Sequence, residues 1–286
     1  MISAKRLSAL YRQACEIELQ AFKPGNVSIY ADGHDMTVDD FRISAQVSAP
    51  AICNPQFSLG EKIYYGVKAT REAVGCNTNL GILLLCAPLI QAAHRIDEGS
   101  TLRQQVQRVL KRTTIADADW VFKAIALAAP GGLGRSDAQD VADPATMTLT
   151  DAMQLASSRD RVALQYCSGY KDIFDFGILR YNSRLKQWGF DKWAAVAVYV
   201  GLLSRYPDSH IVRKYGNRYS SLVAERMAFL NEELEKSENP EQLEPVFQRI
   251  DHEFKSQGIN PGTTADLTVA TVLAALLKDF QRQLDF

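Results

Sequence analysis

Two runs of the chain, Leu80 to Ile90 (LGILLLCAPLI) and Trp193 to Leu203 (WAAVAVYVGLL), contain no charged residue. A segment apolar on every side has to be buried on every side. Neither run is long enough to cross a bilayer, which takes about 20 residues. Both read as core helices, and a core helix needs a jacket of amphipathic partners. The chain provides them. Leu7, Leu10, Tyr11 and Ala14 share one face of a first helix running towards Glu18, and Ile63, Val67, Thr70 and Val74 repeat that spacing before a Gly75 stop. The same period marks helices over about 79–95, 101–112, 117–128, 151–169, 190–204, 219–236, 241–257 and 264–283. Pro88 falls inside one of them, where a kink or break is expected. The stretch NVSIYA comes nearest to a strand and has no partner. With no repeat, low-complexity tract or Pro/Ser-rich linker, the expectation is a single-domain, all-α helical bundle over residues 1–286 whose polar inter-helix loops form one cleft.

A net charge of −1 and a pI near 6.4 leave no electrostatic footprint for nucleic acid or an anionic membrane. Phosphate recognition would have to come from a local pocket. Cys15, Cys53, Cys76, Cys86 and Cys167 are scattered, odd in number and without CxxC or CxxH pairing. They read as reduced thiols of a cytoplasmic protein rather than zinc ligands. The N-terminal stretch has no signal-peptide core and reads as an amphipathic helix.

Chemistry concentrates at four joints between helices: KPGNVSIYADGHDMTVDDF, GCNTNLG, PGGLGRSDAQDVADP and GINPGTTADL. In the last, Thr263 to Asp266 fits a capping box, and Gly262, Thr263 and Thr264 equally suit an anion held at a helix N-terminus. Capping boxes also fit Thr37 to Asp40, Ser58 to Glu61 and Thr148 to Asp151, so the pattern recurs where no function is suspected. Asn77, Thr78 and Asn79 can cap the helix they precede or present amides to a sugar or base. Asp137 and Asp140, three apart, suit Mg²⁺ through oxygen ligands, beside an Arg135 fork for phosphate; a solvated acidic loop is the commoner source of such a cluster. Lys23, on a Pro-Gly turn with Asn26, is a phosphate candidate, although a lysine there is commonly just exposed. His34 and Asp35 are candidates for proton transfer, although a lone histidine is more often structural.

Taken in order, the segments KPGNV, GHDM, NTNLG, GGLGRSDAQDV and GINPGTTADL, spread from Lys23 to Leu267, resemble the triphosphoribosyl-dephospho-CoA synthase family. The ordered set is far more specific than any one segment. The resemblance implies an all-α enzyme acting on ATP and dephospho-CoA. Its reaction joins the ribose C1′ of ATP to a 2′-hydroxyl, releases adenine and retains the triphosphate. The product is a precursor of the prosthetic group in citrate or malonate decarboxylating systems. Such chemistry asks for Mg²⁺ and cations on the triphosphate, a base for the hydroxyl and a partner for positive charge on the sugar. Asp137 and Asp140 are assigned to metal, and Asp35, Asp266 and His34 to catalysis. Lys23, Asn26, Asn77, Thr78, Asn79, Arg135, Gly262, Thr263 and Thr264 are assigned to the nucleotide. The best-known members resemble NTHKG where this chain has NTNLG, and GDTN where it has YPDSH, keeping only Asp208. These departures suit a divergent branch. They motivate a second reading, a nucleotide-dependent transferase in another cofactor pathway such as one-carbon metabolism. A third is a catalytically silent helical interaction protein.

Overall fold

Most helices here start on a side chain that turns back to meet the first free N–H groups. Ser3, Thr37, Ser58, Thr101, Thr114, Thr148 and Asp160 each accept a hydrogen bond from the backbone three residues on. The boxes expected at Thr37/Asp40 and Ser58/Glu61 are complete, and Thr101/Gln104 and Thr114/Asp117 add two more. Thr148 is capped on one side only, its hydroxyl also donating to Asp151 Oδ2 at 2.7 Å.

The computed structural model describes residues 2–33, 36–94, 99–129, 141 and 143–284. Its α-helices are α1 Ala4–Gln20, α2 Val38–Ile52, α3 Leu59–Val74, α4 Leu80–His94, α5 Leu102–Lys111, α6 Ile115–Ala128 and α7 Leu149–Ala156. They continue with α8 Arg161–Ser168, α9 Ile178–Trp188, α10 Asp191–Leu203, α11 Ser209–Tyr215, α12 Ser220–Lys236, α13 Glu244–Ser256 and α14 Gly262–Leu284. The fold is all-α, as expected. Among the described residues there is no strand; NVSIYA folds on itself through isolated bridges, Ser28 to Ala31 and Gly33 to Met36. No described helix is long and apolar enough to cross a membrane.

The two uncharged runs are core. Every residue of α10 from Trp193 to Leu203 is buried. Helix α14 packs on α1, α4, α9 and α10, and its buried Thr268 and Thr271 hydroxyls donate to carbonyls one turn back. The break expected at Pro88 does not occur. Proline removes the N–H that would meet the Leu84 carbonyl, and the buried Tyr166 hydroxyl takes its place at 2.7 Å. Tyr170 donates to the next carbonyl, Leu85, at 2.9 Å.

Two other expectations are corrected. The helix expected over 151–169 is split by a turn at 157–160, because Asp160 caps a new helix by accepting from Ala163 N. Helices α9 and α11 were not anticipated, and of α2 only the N-cap was. In α2 the apolar face is small, and Ser44 and Ser48 bury their hydroxyls against carbonyls four residues back.

Candidate active site

The polar ends of α1, α4, α8, α11 and α14 open onto one cavity of about 510 Å³, within the range of roughly 300–1,000 Å³ usual for small-molecule sites. Its polar lining includes Glu18, Asn26, Asn77, Arg159, His210 and Asp266, and its apolar lining includes Val121, Phe122, Ile125, Leu149 and Met153 from α6 and α7.

The start of α14 is built differently from its sequence reading. Pro261 holds the cap position, its carbonyl accepting from Ala265 N, so Thr263 and Asp266 sit inside the helix and form no capping box. The capping carboxylate comes from Asp208, in the loop before α11. Its Oδ2 accepts from both Thr264 N and Thr264 Oγ1 at 2.7 Å, while Oδ1 accepts from His210 N and Ile211 N. One buried side chain thus fixes two helix starts. Burial pushes its carboxyl up from the ordinary value, against the pull of those hydrogen bonds.

This arrangement leaves Thr263 and Asp266 for the cavity, which both line. Among the described residues neither side chain makes a hydrogen bond, and Thr263 N–H has no acceptor. Asp266 is half-buried beneath α4, against Gly81, where a Cβ would overlap its carboxylate. Burial raises its carboxyl well above the usual range, the charges of Glu18, Asp208 and Asp160 raise it further, and Arg213 opposes them.

Lys23 does not reach the cavity. It is fully buried, and its ammonium donates to the carbonyls of Glu18 at 2.9 Å and Val27 at 2.7 Å, with the Glu18 carboxylate 3.2 Å away. Where a phosphate contact was expected, the structure places Lys23 as an internal counter-ion to Glu18. The turn after it docks on the rest of the bundle: Gly25, at φ 84°, donates its N–H to Asp251, and Tyr199 donates to Pro24 O. Asn26 Nδ2 donates to Asn260 Oδ1 at 2.8 Å, joining KPGNV to GINPG at the cavity edge.

In the NTNLG joint, Asn77 caps α4 through Leu80 N, and Thr78 shares a 2.6 Å hydrogen bond with Ser44; both line the cavity. Asn79 points into the core, donating to Thr70 at 2.9 Å, and Thr264 is committed to Asp208. Neither lines the cavity, and both side chains hold the protein's own structure. Gly262 lines the cavity. His34, Asp35, Arg135, Asp137 and Asp140 lie outside the described residues, but Met36, Ala129 and Val141, which flank those segments, line the cavity. Among the described residues no group of three or more His, Cys, Asp or Glu is placed to hold a metal.

Sequence reasoning missed Glu18, Arg159, Asp160, His210 and Arg213. The turn SSRD inside a helix-periodic stretch was the available signal for two of them. Asp160 and Arg213, both in the lining, form an ion pair of 3.4 Å, and the Arg159 guanidinium beside it has no partner among the described residues.

A family model described as CitG, ATP:dephospho-CoA triphosphoribosyl transferase, matches residues 4–284. The chain belongs to this triphosphoribosyl transferase family. It is accordingly an enzyme, a transferase whose reaction is the family's, in the building of the citrate lyase prosthetic group. A solved structure from Archaeoglobus fulgidus, provisionally assigned as a triphosphoribosyl-dephospho-CoA synthase, is similar at 25% identity and a TM-score of 0.64, covering 82% of this chain and 97% of that one. No curated protein sequence matches the chain. Within this triphosphoribosyl transferase, the motif residues divide into two sets. Asn26, Asn77, Thr78, Thr263 and Asp266 meet the cavity, while Lys23, Asn79 and Thr264 hold the joints that carry them.

Proposed function

We propose that this cavity is where C1′ of the ATP ribose is transferred to a 2′-hydroxyl of dephospho-CoA, with Asp266 as the base. The C1′–N bond to adenine breaks, adenine leaves with the electron pair, and the acceptor oxygen bonds C1′ as its proton passes to Asp266 and from there to the departing adenine. The observation that carries this reading is Asp266 itself. It is a carboxylate on the cavity wall with no hydrogen-bond partner among the described residues, and its proton affinity is raised by burial and like charge. Arg159 and the N-terminal turn of α14 at Thr263 supply positive ends for the triphosphate.

Mg²⁺ would neutralise phosphate charge when bound. The described residues do not make a site for it, so its assignment stays with Asp137 and Asp140, and no step is routed through it. Asp35 and His34 remain secondary candidates for proton transfer. The protein is read as a single domain over residues 1–286, working in the cytoplasm, where five free thiols persist.

One observation favours a second reading with a different hydroxyl acceptor. Leu80 lines the cavity where the best-known members resemble a lysine, and it continues the apolar wall. The test is incubation with ATP, Mg²⁺ and dephospho-CoA, or alternative hydroxyl acceptors, resolving adenine from ADP by chromatography. Adenine released with dephospho-CoA supports the first reading, and adenine released only with another acceptor supports the second. ADP in place of adenine overturns both.

A further inference from the structure

Glycosyl transfer of this kind has two electrostatic needs that one carboxylate cannot serve at once. The base must take a proton, while the group facing the positively charged sugar must stay ionised. The cavity holds a second carboxylate, and this one has a cation in contact with it. Glu18, in the last turn of α1, is 4% exposed, and it lines the same cavity as Asp266 on α14, which packs against α1.

The two differ in their partners. Glu18 Oε1 lies 3.2 Å from the Lys23 ammonium, which is itself fixed by the Glu18 and Val27 carbonyls and closed off from solvent. Its other oxygen has no hydrogen bond among the described residues. Burial raises the Glu18 carboxyl and lowers the Lys23 ammonium from their ordinary values, and the contact between them opposes both shifts, so the charge on Glu18 depends on this fixed partner. Asp266 has no such counter-ion in contact.

We infer that Glu18 is a catalytic residue of the transfer, an ionised carboxylate that faces the positive charge developing at C1′, with Lys23 as the positioning residue that keeps it so. This rests on the reading of the cavity as the transfer site.

Two probes test it without requiring turnover. One is the triphosphate of an iminoribitol analogue of adenosine, whose ring nitrogen is protonated at neutral pH; the other is carbocyclic ATP, whose ring is neutral. The protein is expected to bind the cationic ring at least about tenfold more tightly, as transition-state mimics are. Glu18→Gln is expected to lose that preference while keeping its affinity for carbocyclic ATP. Lys23→Met is expected to lose the preference in the same way. Glu18→Asp keeps the charge and the lysine partner, so it guards against a Gln variant that fails to fold; it should retain the preference and release adenine more slowly. Equal binding of the two probes by the unmodified protein overturns the inference, as does a preference that survives Glu18→Gln or a full rate in Glu18→Asp. A cation preference that depends on Glu18, in a protein that releases no adenine with any acceptor, leaves this inference standing and removes the transfer reading.

Discussion

Gly81 lies directly against Asp266: a methyl group added at position 81 would occupy the space of the Asp266 carboxylate. The glycine has ordinary helical geometry at the start of α4, so nothing in the backbone requires it. What requires it is the carboxylate. Gly81→Ala is expected to fold normally, since alanine is favoured over glycine in a helix by about 0.5–1 kcal/mol. The displaced Asp266 should cost roughly 100-fold in adenine release. Melting curves with steady-state rates check this, and a fully active Gly81→Ala enzyme would remove Asp266 from the reaction.

Asp266 also ties activity to pH against stability. The fold raises its carboxyl above the ordinary 3.8, so the protonated form is the one the fold favours. The group's contribution is fully present below the ordinary carboxylate range and is lost as pH rises through the raised value. Asp266→Asn cannot ionise, so it should melt above the unmodified protein at neutral pH, with the gap closing as pH falls below that range. Its adenine release should drop roughly 10²–10⁴-fold. Parallel melting and rate profiles against pH distinguish these effects.

The Tyr166 hydroxyl completes a hydrogen bond that Pro88 denies to Leu84. Tyr166→Phe should therefore cost about 1–3 kcal/mol, the cost of a buried carbonyl left unmet. In a Pro88→Ala background the helix supplies its own N–H, and the same change should cost much less. A four-member denaturation cycle measures the difference.

Asp208 caps two helices, whereas Thr263 caps none. Asp208→Ala is expected to lose about 1–4 kcal/mol, twice the usual range for one cap. Thr263→Ala should change stability little. Thr263→Asp should fold and bind ATP weakly, because it adds negative charge beside Asp266. Urea titrations and nucleotide binding on the three variants provide the check.

The all-α class was legible because helix periodicity is a local property, and so were the N-caps at Thr37 and Ser58. The convergence of three of the four polar joints, those of Asn26, Asn77 and Thr263, was legible from their shared composition. What each residue does within a joint was not. Lys23 and Thr263 carry the same signals whether they face a ligand or the protein. The choice is made by Glu18, Val27 and Asp208, two of which lie close in sequence to the residues they hold. Asp208 reaches Thr264 across 56 positions, and no local pattern encodes that. Tyr166 and Pro88 show the same limit: the rule for proline is right, and its consequence is cancelled from 82 positions away by the hydroxyl on Leu84.

The paired phenols of Tyr166 and Tyr170 also bear on how ligands reach the cavity. Leu84, Val162 and Ala163 belong to its wall, and the phenols rivet the chain around α8 to consecutive carbonyls of α4. Any breathing that parted these helices would strand the Leu84 oxygen, whose own helix has no proton to offer it. That wall is a fixed jamb. Traffic of a highly charged nucleotide is left to the polar part of the lining, so the rate at which product departs should answer to Arg159 and its neighbours rather than to the packing of the core.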